Sequence, residues 1–264
     1  MLYSTADALV FIAFFLATLI LAVWLILKPR KRSRENTPLP ANYKQLLNDN
    51  VAFYRKLDDA GKTNFENRLQ RFLSSIRING AGVVVEDLDR VLVGASAIIP
   101  IYAFPNWEYI NIREVLLYPD SFNEQFEIAG NNRPVLGMVG NGPMQQVMIL
   151  SQRALREGFS NKTDKNNTAI HEFVHLIDKT DGATDGIPEV LLQNQYTLPW
   201  LNMMHKNIKA IQEDKSDINP YAATNQAEFF AVVAEYFFER PDLLKLKHPD
   251  LFEMMDKMFE KGKH

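Results

Sequence analysis

The 264-residue chain contains no cysteine. That excludes a disulfide scaffold, a cysteine-ligated zinc site, an iron–sulfur cluster and a cysteine nucleophile. Any metal must be held by imidazole, carboxylate or carbonyl groups. Positive charge is also in short supply. There are 29 Lys and Arg against 32 Asp and Glu, and five of the basic groups lie in residues 1–40. The remainder, 41–264, has a net charge of −6. Phosphate binding needs a basic face, so nucleic acid is excluded as a partner. Internal repeats and low-complexity segments are absent as well, which excludes a solenoid or a coiled-coil array. An apolar fraction of 47% with 23% charged residues excludes global disorder.

What is present starts with an uncharged run. Residues 8–27 read ALVFIAFFLATLILAVWLIL, and Lys28, Arg30, Lys31, Arg32 and Arg34 follow at once. Twenty helical residues span about 30 Å, one hydrocarbon core. The only charged side chain ahead of the run is Asp7. The positive-inside rule therefore places residues 1–7 outside the inner membrane, 8–27 across it, and all that follows in the cytoplasm. A cleaved signal peptide would need a basic start, a shorter apolar run and a small-residue cleavage site, and the sequence has none of these. Residues 28–40 form a basic juxtamembrane linker that ends in Thr37-Pro38-Leu39-Pro40, a stiff spacer. Residues 41–264 form the soluble body, and the bilayer is the expected partner of residues 8–27.

The body reads as α+β. A helix is expected over 42–59. Thr63-Asn64-Phe65-Glu66 matches a capping box, followed by Phe65, Leu69, Phe72, Leu73 and Ile76 at helical spacing. Asn79-Gly80 reads as a break, Val83–Val85 as a strand and 87–102 as an apolar helix. Val115–Tyr118, Pro134–Val139 and Gln146–Leu150 read as further strands. The last of these is expected to be an edge strand able to pair with an extended peptide. A helix over Thr168–Lys179 follows, then the loop DGATDGIP (181–188), and helices fill the C-terminal third.

Residues 171–175 read His-Glu-Phe-Val-His, the HExxH pattern. On a helix, residues four apart share a face, so His171 and His175 can aim at one ion while Glu172 reaches a water beside it. Zinc is the metal such a pair takes, one ion per chain. A catalytic zinc needs a third protein ligand. HEFVHLIDKTD lacks the HxxGxxH extension that would supply another histidine, and His205, His248 and His264 read as isolated surface groups. The segment NQAEFFAVVAEYFFER (225–240) is apolar nearly all round and holds two carboxylates, Glu228 and Glu235. A carboxylate inside such a helix needs a cation or a donor. The two are seven apart on one face, and spacing alone does not choose between them. Glu228 also fits a helix-capping acid after Asn225. Asp178, seven after His171, is a candidate for orienting a histidine ligand.

HEFVHLIDKTDG (171–182), DGIP (185–188) and NPYAATNQAEFFAVVAEYFFERP (219–241), with weaker likeness in VLLYPDSF (115–122), resemble the MtfA family of zinc peptidases. The catalytic core of that family is similar to the lethal factor metalloprotease domain. The resemblance runs from about residue 50 to the C-terminus. It implies a zincin-like fold with an active-site HExxH helix, a small mixed sheet and a helical C-terminal part. It implies that His171, His175 and Glu228 ligate zinc, that Glu172 is the general base and that Tyr221 lends its hydroxyl to the oxyanion. Glu235 then becomes an orienting or structural acid. The expectation is a membrane-anchored zinc peptidase, aminopeptidase or endopeptidase, acting on a peptide or protein substrate. The rival reading is a non-catalytic zinc module that sequesters a regulatory protein at the membrane.

Overall fold

A computed structural model describes residues 39–122, 135–140, 146–161 and 164–259. The expected membrane span 8–27, most of the basic linker and His264 lie outside the described residues. Among the described residues, no helix is long and apolar enough to cross a membrane.

The first helices differ from expectation in an instructive way. The expected helix 42–59 is two helices, α1 (Tyr43–Asn50) and α2 (Ala52–Arg55), separated at Val51. Val51 is fully buried and its backbone is extended, at φ −104° and ψ 100°. The next helix, α3 (Asp59–Leu73), starts four residues before the expected capping box. Asp58 is its cap, accepting from the Gly61 N–H at 2.7 Å. The Thr63 hydroxyl instead donates to the carbonyl of Asp59, and Glu66 accepts from the hydroxyls of Tyr43 and Tyr54 at 2.9 and 2.6 Å. The carboxylate is therefore spent on joining three helices, not on a cap. Phe65, Leu69, Phe72 and Leu73 form the buried stripe as their spacing predicts.

Among the described residues the sheet has four strands in the order β1-β2-β4-β3. β1 (Arg77–Gly80) is parallel to β2 (Glu114–Tyr118), with Ile78 opposite Val115. β2 is parallel to β4 (Val147–Ser151), with Val115 opposite Met148. β3 (Gly137–Val139) runs antiparallel to β4, with Met138 opposite Ile149. Two expectations are corrected here. Val83–Val85 is not a strand; it leads into α4 (Asp87–Ile98), and the strand is instead the Arg77–Gly80 segment that reads as a break. Gly80 is needed where the chain turns back, because a Cβ there would lie 2.1 Å from the Val83 carbonyl oxygen. The second correction concerns β4. It is flanked on both sides, so it cannot receive a peptide; the sheet ends at β3.

Helices then cover the sheet and close the core. α5 (Gln152–Ser160) follows β4 directly and is capped by Ser151. α6 (Thr168–Asp178) carries the HExxH pattern, and a short 3-10 turn, Lys179–Asp181, ends it. α7 (Asn194–Gln212), a 3-10 turn at Pro220–Ala223, α8 (Gln226–Glu239), α9 (Pro241–Lys247) and α10 (Pro249–Phe259) complete the described residues. α6 and α8 are buried nearly all round: Ile170, Phe173, Val174, Ile177, Phe229, Phe230 and Val233 are all fully buried.

A charged hub fixes the segment that leads to α8. Asp217 accepts from Lys165 at 2.6 Å, His248 at 2.7 Å, the Tyr236 hydroxyl at 2.9 Å and Lys247 at 3.1 Å. His248, read as an isolated surface group, is thus a structural partner. Burial raises the Asp217 carboxyl, but the hydrogen bonds from Lys165, His248, Lys247 and Tyr236 outweigh it and hold the group well below the usual carboxylate range. A depressed folded pKa adds stability above the unfolded value of about 3.9, and that stability is lost as pH falls through the folded value. Asp217→Asn is therefore expected to lower stability by about 2 kcal/mol at pH 7. Thermal melts of the two proteins should converge progressively below pH 4. A difference unchanged from pH 7 to pH 3 would refute the ionic origin.

Candidate metal centre

The site is built where α6 crosses α8, beside the outer strand β3. Asn167 caps α6 by accepting from the Ile170 N–H at 3.1 Å. Its other groups reach across to α8. The Asn167 N–H donates to Glu235 Oε2 at 2.6 Å, and its side-chain amide donates to Glu239 at 2.9 Å. The start of the HExxH helix is thereby locked to the helix that carries both candidate glutamates. Asn225 caps α8, accepting from the Glu228 N–H at 2.9 Å. The cap frees the Glu228 carboxylate, whose backbone N–H is the capped group, to point at α6.

Three donor atoms converge. His171 Nε2 lies 2.9 Å from Glu228 Oε2 and 3.0 Å from His175 Nε2, and His175 Nε2 lies 3.4 Å from the same Glu228 oxygen. Ligands about 2.1 Å from a tetrahedral ion are about 3.4 Å apart, so one zinc-sized ion fits this triangle with small adjustment. The chemistry of the set agrees: two imidazole nitrogens and one carboxylate oxygen, with no thiolate, is a donor set for zinc or a similar divalent ion. His171, His175 and Glu228 are the group of the described residues able to hold such an ion.

The surroundings tune these groups. His171 Nδ1 donates to Glu235 Oε1 at 2.7 Å, which leaves Nε2 as the nitrogen turned to Glu228 and to the position of an ion. The two glutamates thus sit on opposite nitrogens of one ring. Spacing leaves them equivalent; in the structure Glu228 lies within the donor triangle and Glu235 outside it. Burial disfavours charge on His171, yet Glu235 and Glu228 outweigh it and raise its pKa well above the ordinary value. Burial likewise opposes the charge of Glu228, but both histidines pull its carboxyl down to about 2. Glu172 is 6% exposed, and burial pushes its carboxyl up against the pull of His171 and His175. Two imidazoles among three carboxylates make a pocket of negative potential that favours a cation.

His171, Glu172, His175, Tyr221 and Glu228 all line one open cleft of about 620 Å³. Tyr221 stands in the 3-10 turn before α8, 53% exposed, with its ring 6.1 Å from that of His171. The five expected site residues therefore share one cleft. Asp178 is also buried, but it accepts from the Gly186 N–H at 2.9 Å and makes no hydrogen bond to either histidine. Sequence reasoning missed two residues. Asn167 carries a signal, because Asn before a helical run is a cap, but its bonds to α8 leave no mark in the sequence. Gly137 carries none. It brings β3 against Glu172, where a Cβ would lie 2.7 Å from Oε1.

A profile of the family described as glucose-regulated metallo-peptidase M90 matches residues 26–260. An uncharacterised protein of Synechocystis sp. is 26% identical over 243 residues, 87% of this chain and 87% of its own length. Proteins named Mlc titration factor A are similar too. The one from Escherichia fergusonii is 29% identical over 199 residues, 70% of this chain and 73% of its own. The one from Pectobacterium atrosepticum is 29% identical over 160 residues, 55% of this chain and 58% of its own. With the profile spanning most of the sequence and these relatives along it, the chain belongs to the MtfA family of M90 metallopeptidases.

Proposed function

We propose that the chain is a membrane-anchored zinc peptidase of zincin-like architecture, tethered by residues 8–27 with its body, residues 41–264, in the cytoplasm. The observation that carries the peptidase reading is the triangle of His171, His175 and Glu228 with Glu172 beside it in a cleft bordered by a strand edge. The uncharged run and the basic cluster after it carry the tether.

His171, His175 and Glu228 would hold the ion. When bound, zinc supplies a Lewis acid that polarises a carbonyl and lowers the pKa of a water to about 7. Glu172 takes the proton of the attacking water and hands it to the leaving amine. Burial raises its carboxyl above the ordinary carboxylate value, the direction a proton acceptor needs. Tyr221 donates its hydroxyl to the oxygen that gains charge as the carbonyl is attacked. Among the described residues β3 is an outer strand of the sheet, and an extended peptide pairs along it with its scissile bond beside Glu172. Gly137 permits that close passage.

The test is hydrolysis of short unstructured peptides by the full-length, detergent-solubilised chain. A module that only sequesters a partner would bind without cleavage. The second reading has one supporting observation, the name Mlc titration factor A borne by relatives. Tyr221→Phe is expected to keep the metal and lower turnover by ~10²–10³, the scale for one lost oxyanion donor. Unchanged turnover at saturating peptide would reduce Tyr221 to a packed aromatic.

A further inference from the structure

The two histidines of the triangle are supported differently. His171 has a carboxylate on its far nitrogen. His175 Nδ1 is buried and has no hydrogen-bond partner. One turn further along α6, Asp178 is 1% exposed, and its Oδ1 is also buried without a partner. These are two of three such side-chain atoms among the described residues. They lie three residues apart, a spacing that puts side chains on one helix face. One is a ring nitrogen that must carry a proton when Nε2 binds a metal. The other is a carboxylate oxygen that must accept one. Buried polar groups are almost always paired, so two complementary orphans on one helix face point to an interaction completed in another state of the site.

We propose that Asp178 is the positioning residue for His175: its Oδ1 accepts the Nδ1–H, directly or through one water, when Nε2 faces the ion. This rests on the metal-centre reading above. The other oxygen of Asp178 has a second duty. It accepts from Gly186, whose carbonyl in turn accepts from Trp200 Nε1 at 2.7 Å. Gly186 has φ +76° and lies so close to α8 that a Cβ would stand 2.3 Å from the Gln226 carbonyl oxygen. Thr184 and Asp185, in the same loop, line the cleft. One carboxylate thus has two separate duties, one toward a metal-binding imidazole and one toward a wall of the substrate cleft.

Asp178→Asn separates the two duties. The amide oxygen keeps the Gly186 bond, and the amide NH₂ faces His175, favouring the tautomer with the proton on Nε2, where the ion belongs. Zinc affinity of the full-length chain, measured by competition with a chromogenic chelator, is expected to fall ~10–100-fold. The melting temperature of the zinc-free protein should stay near that of the parent. Trp200→Phe, which loosens the loop but leaves Asp178 intact, should bind zinc within about threefold of the parent. In the zinc-loaded parent, nitrogen NMR should show His175 protonated at Nδ1 with a proton signal shifted downfield by a carboxylate acceptor. Asp178→Asn within threefold of the parent, Trp200→Phe as damaging as Asp178→Asn, or an Nδ1 proton without that shift would each overturn the role. A parent that binds no zinc would instead remove the centre itself.

Discussion

Glu172→Gln is expected to leave zinc bound and to reduce peptide turnover by ~10³ or more. A general base contributes ~10²–10⁴, and this carboxylate serves in two proton transfers, so the loss belongs at the upper end. The fold should be unaffected. Glu172 is buried, and among the described residues it makes no hydrogen bond to another side chain, so glutamine of the same size leaves no partner stranded. The metal should also be unaffected, because Glu172 is not part of the donor triangle. Metal content and turnover measured on the same preparation check both halves. A variant that loses zinc as well would make Glu172 a ligand, and one with full turnover would remove it from the chemistry.

The second large effect is a contrast between two glutamates. Glu228→Ala is expected to lose zinc and all activity, because two imidazoles alone leave a weak, water-filled site. Glu235→Ala is expected to keep zinc with affinity reduced ~10–100-fold, the usual cost of losing a group that orients a ligand. The geometry makes the difference explicit. Glu228 meets His171 on Nε2 and also approaches His175, whereas Glu235 meets His171 on Nδ1, away from the triangle. Glu235→Ala carries a further cost, since the Asn167 N–H also donates to it and would be left unpaired. Stability should therefore fall in Glu235→Ala more than in Glu228→Ala. Zinc analysis of both variants side by side decides the matter; loss of the metal in Glu235→Ala alone would reverse the assignment.

Much of the site was legible because its chemistry is local. HExxH places two nitrogens on one face by helical geometry alone, and α6 spans Thr168–Asp178 much as its pattern indicates. The buried helix with two acids was equally visible, and α8 covers Gln226–Glu239. The choice between the acids was not visible, because it depends on how α8 is rotated against α6. Asn167 and Gly137 were hidden for the same reason: each is defined by what lies opposite it, 68 residues away in the case of Asn167 and Glu235. The first part of the body is less legible. Thr63 and Glu66 have the spacing of a cap, but Tyr43 and Tyr54 claim the carboxylate through tertiary contact. The strand at Arg77–Gly80 has little apolar alternation, since only Ile78 is buried in it. Val83–Val85 has the stronger strand composition and remains a loop. The edge position of β3 follows from a strand order that no single segment encodes.

The central claim is that this cleft hydrolyses peptides with a zinc ion held by His171, His175 and Glu228. Its most direct measurement is zinc content and peptide turnover of the full-length chain, purified without chelators, then stripped with a chelator and reloaded. The expected result is about one zinc per chain, turnover that disappears on stripping, and turnover that returns with zinc. A chain that binds no zinc, or one whose hydrolysis persists after the metal is removed, would contradict it.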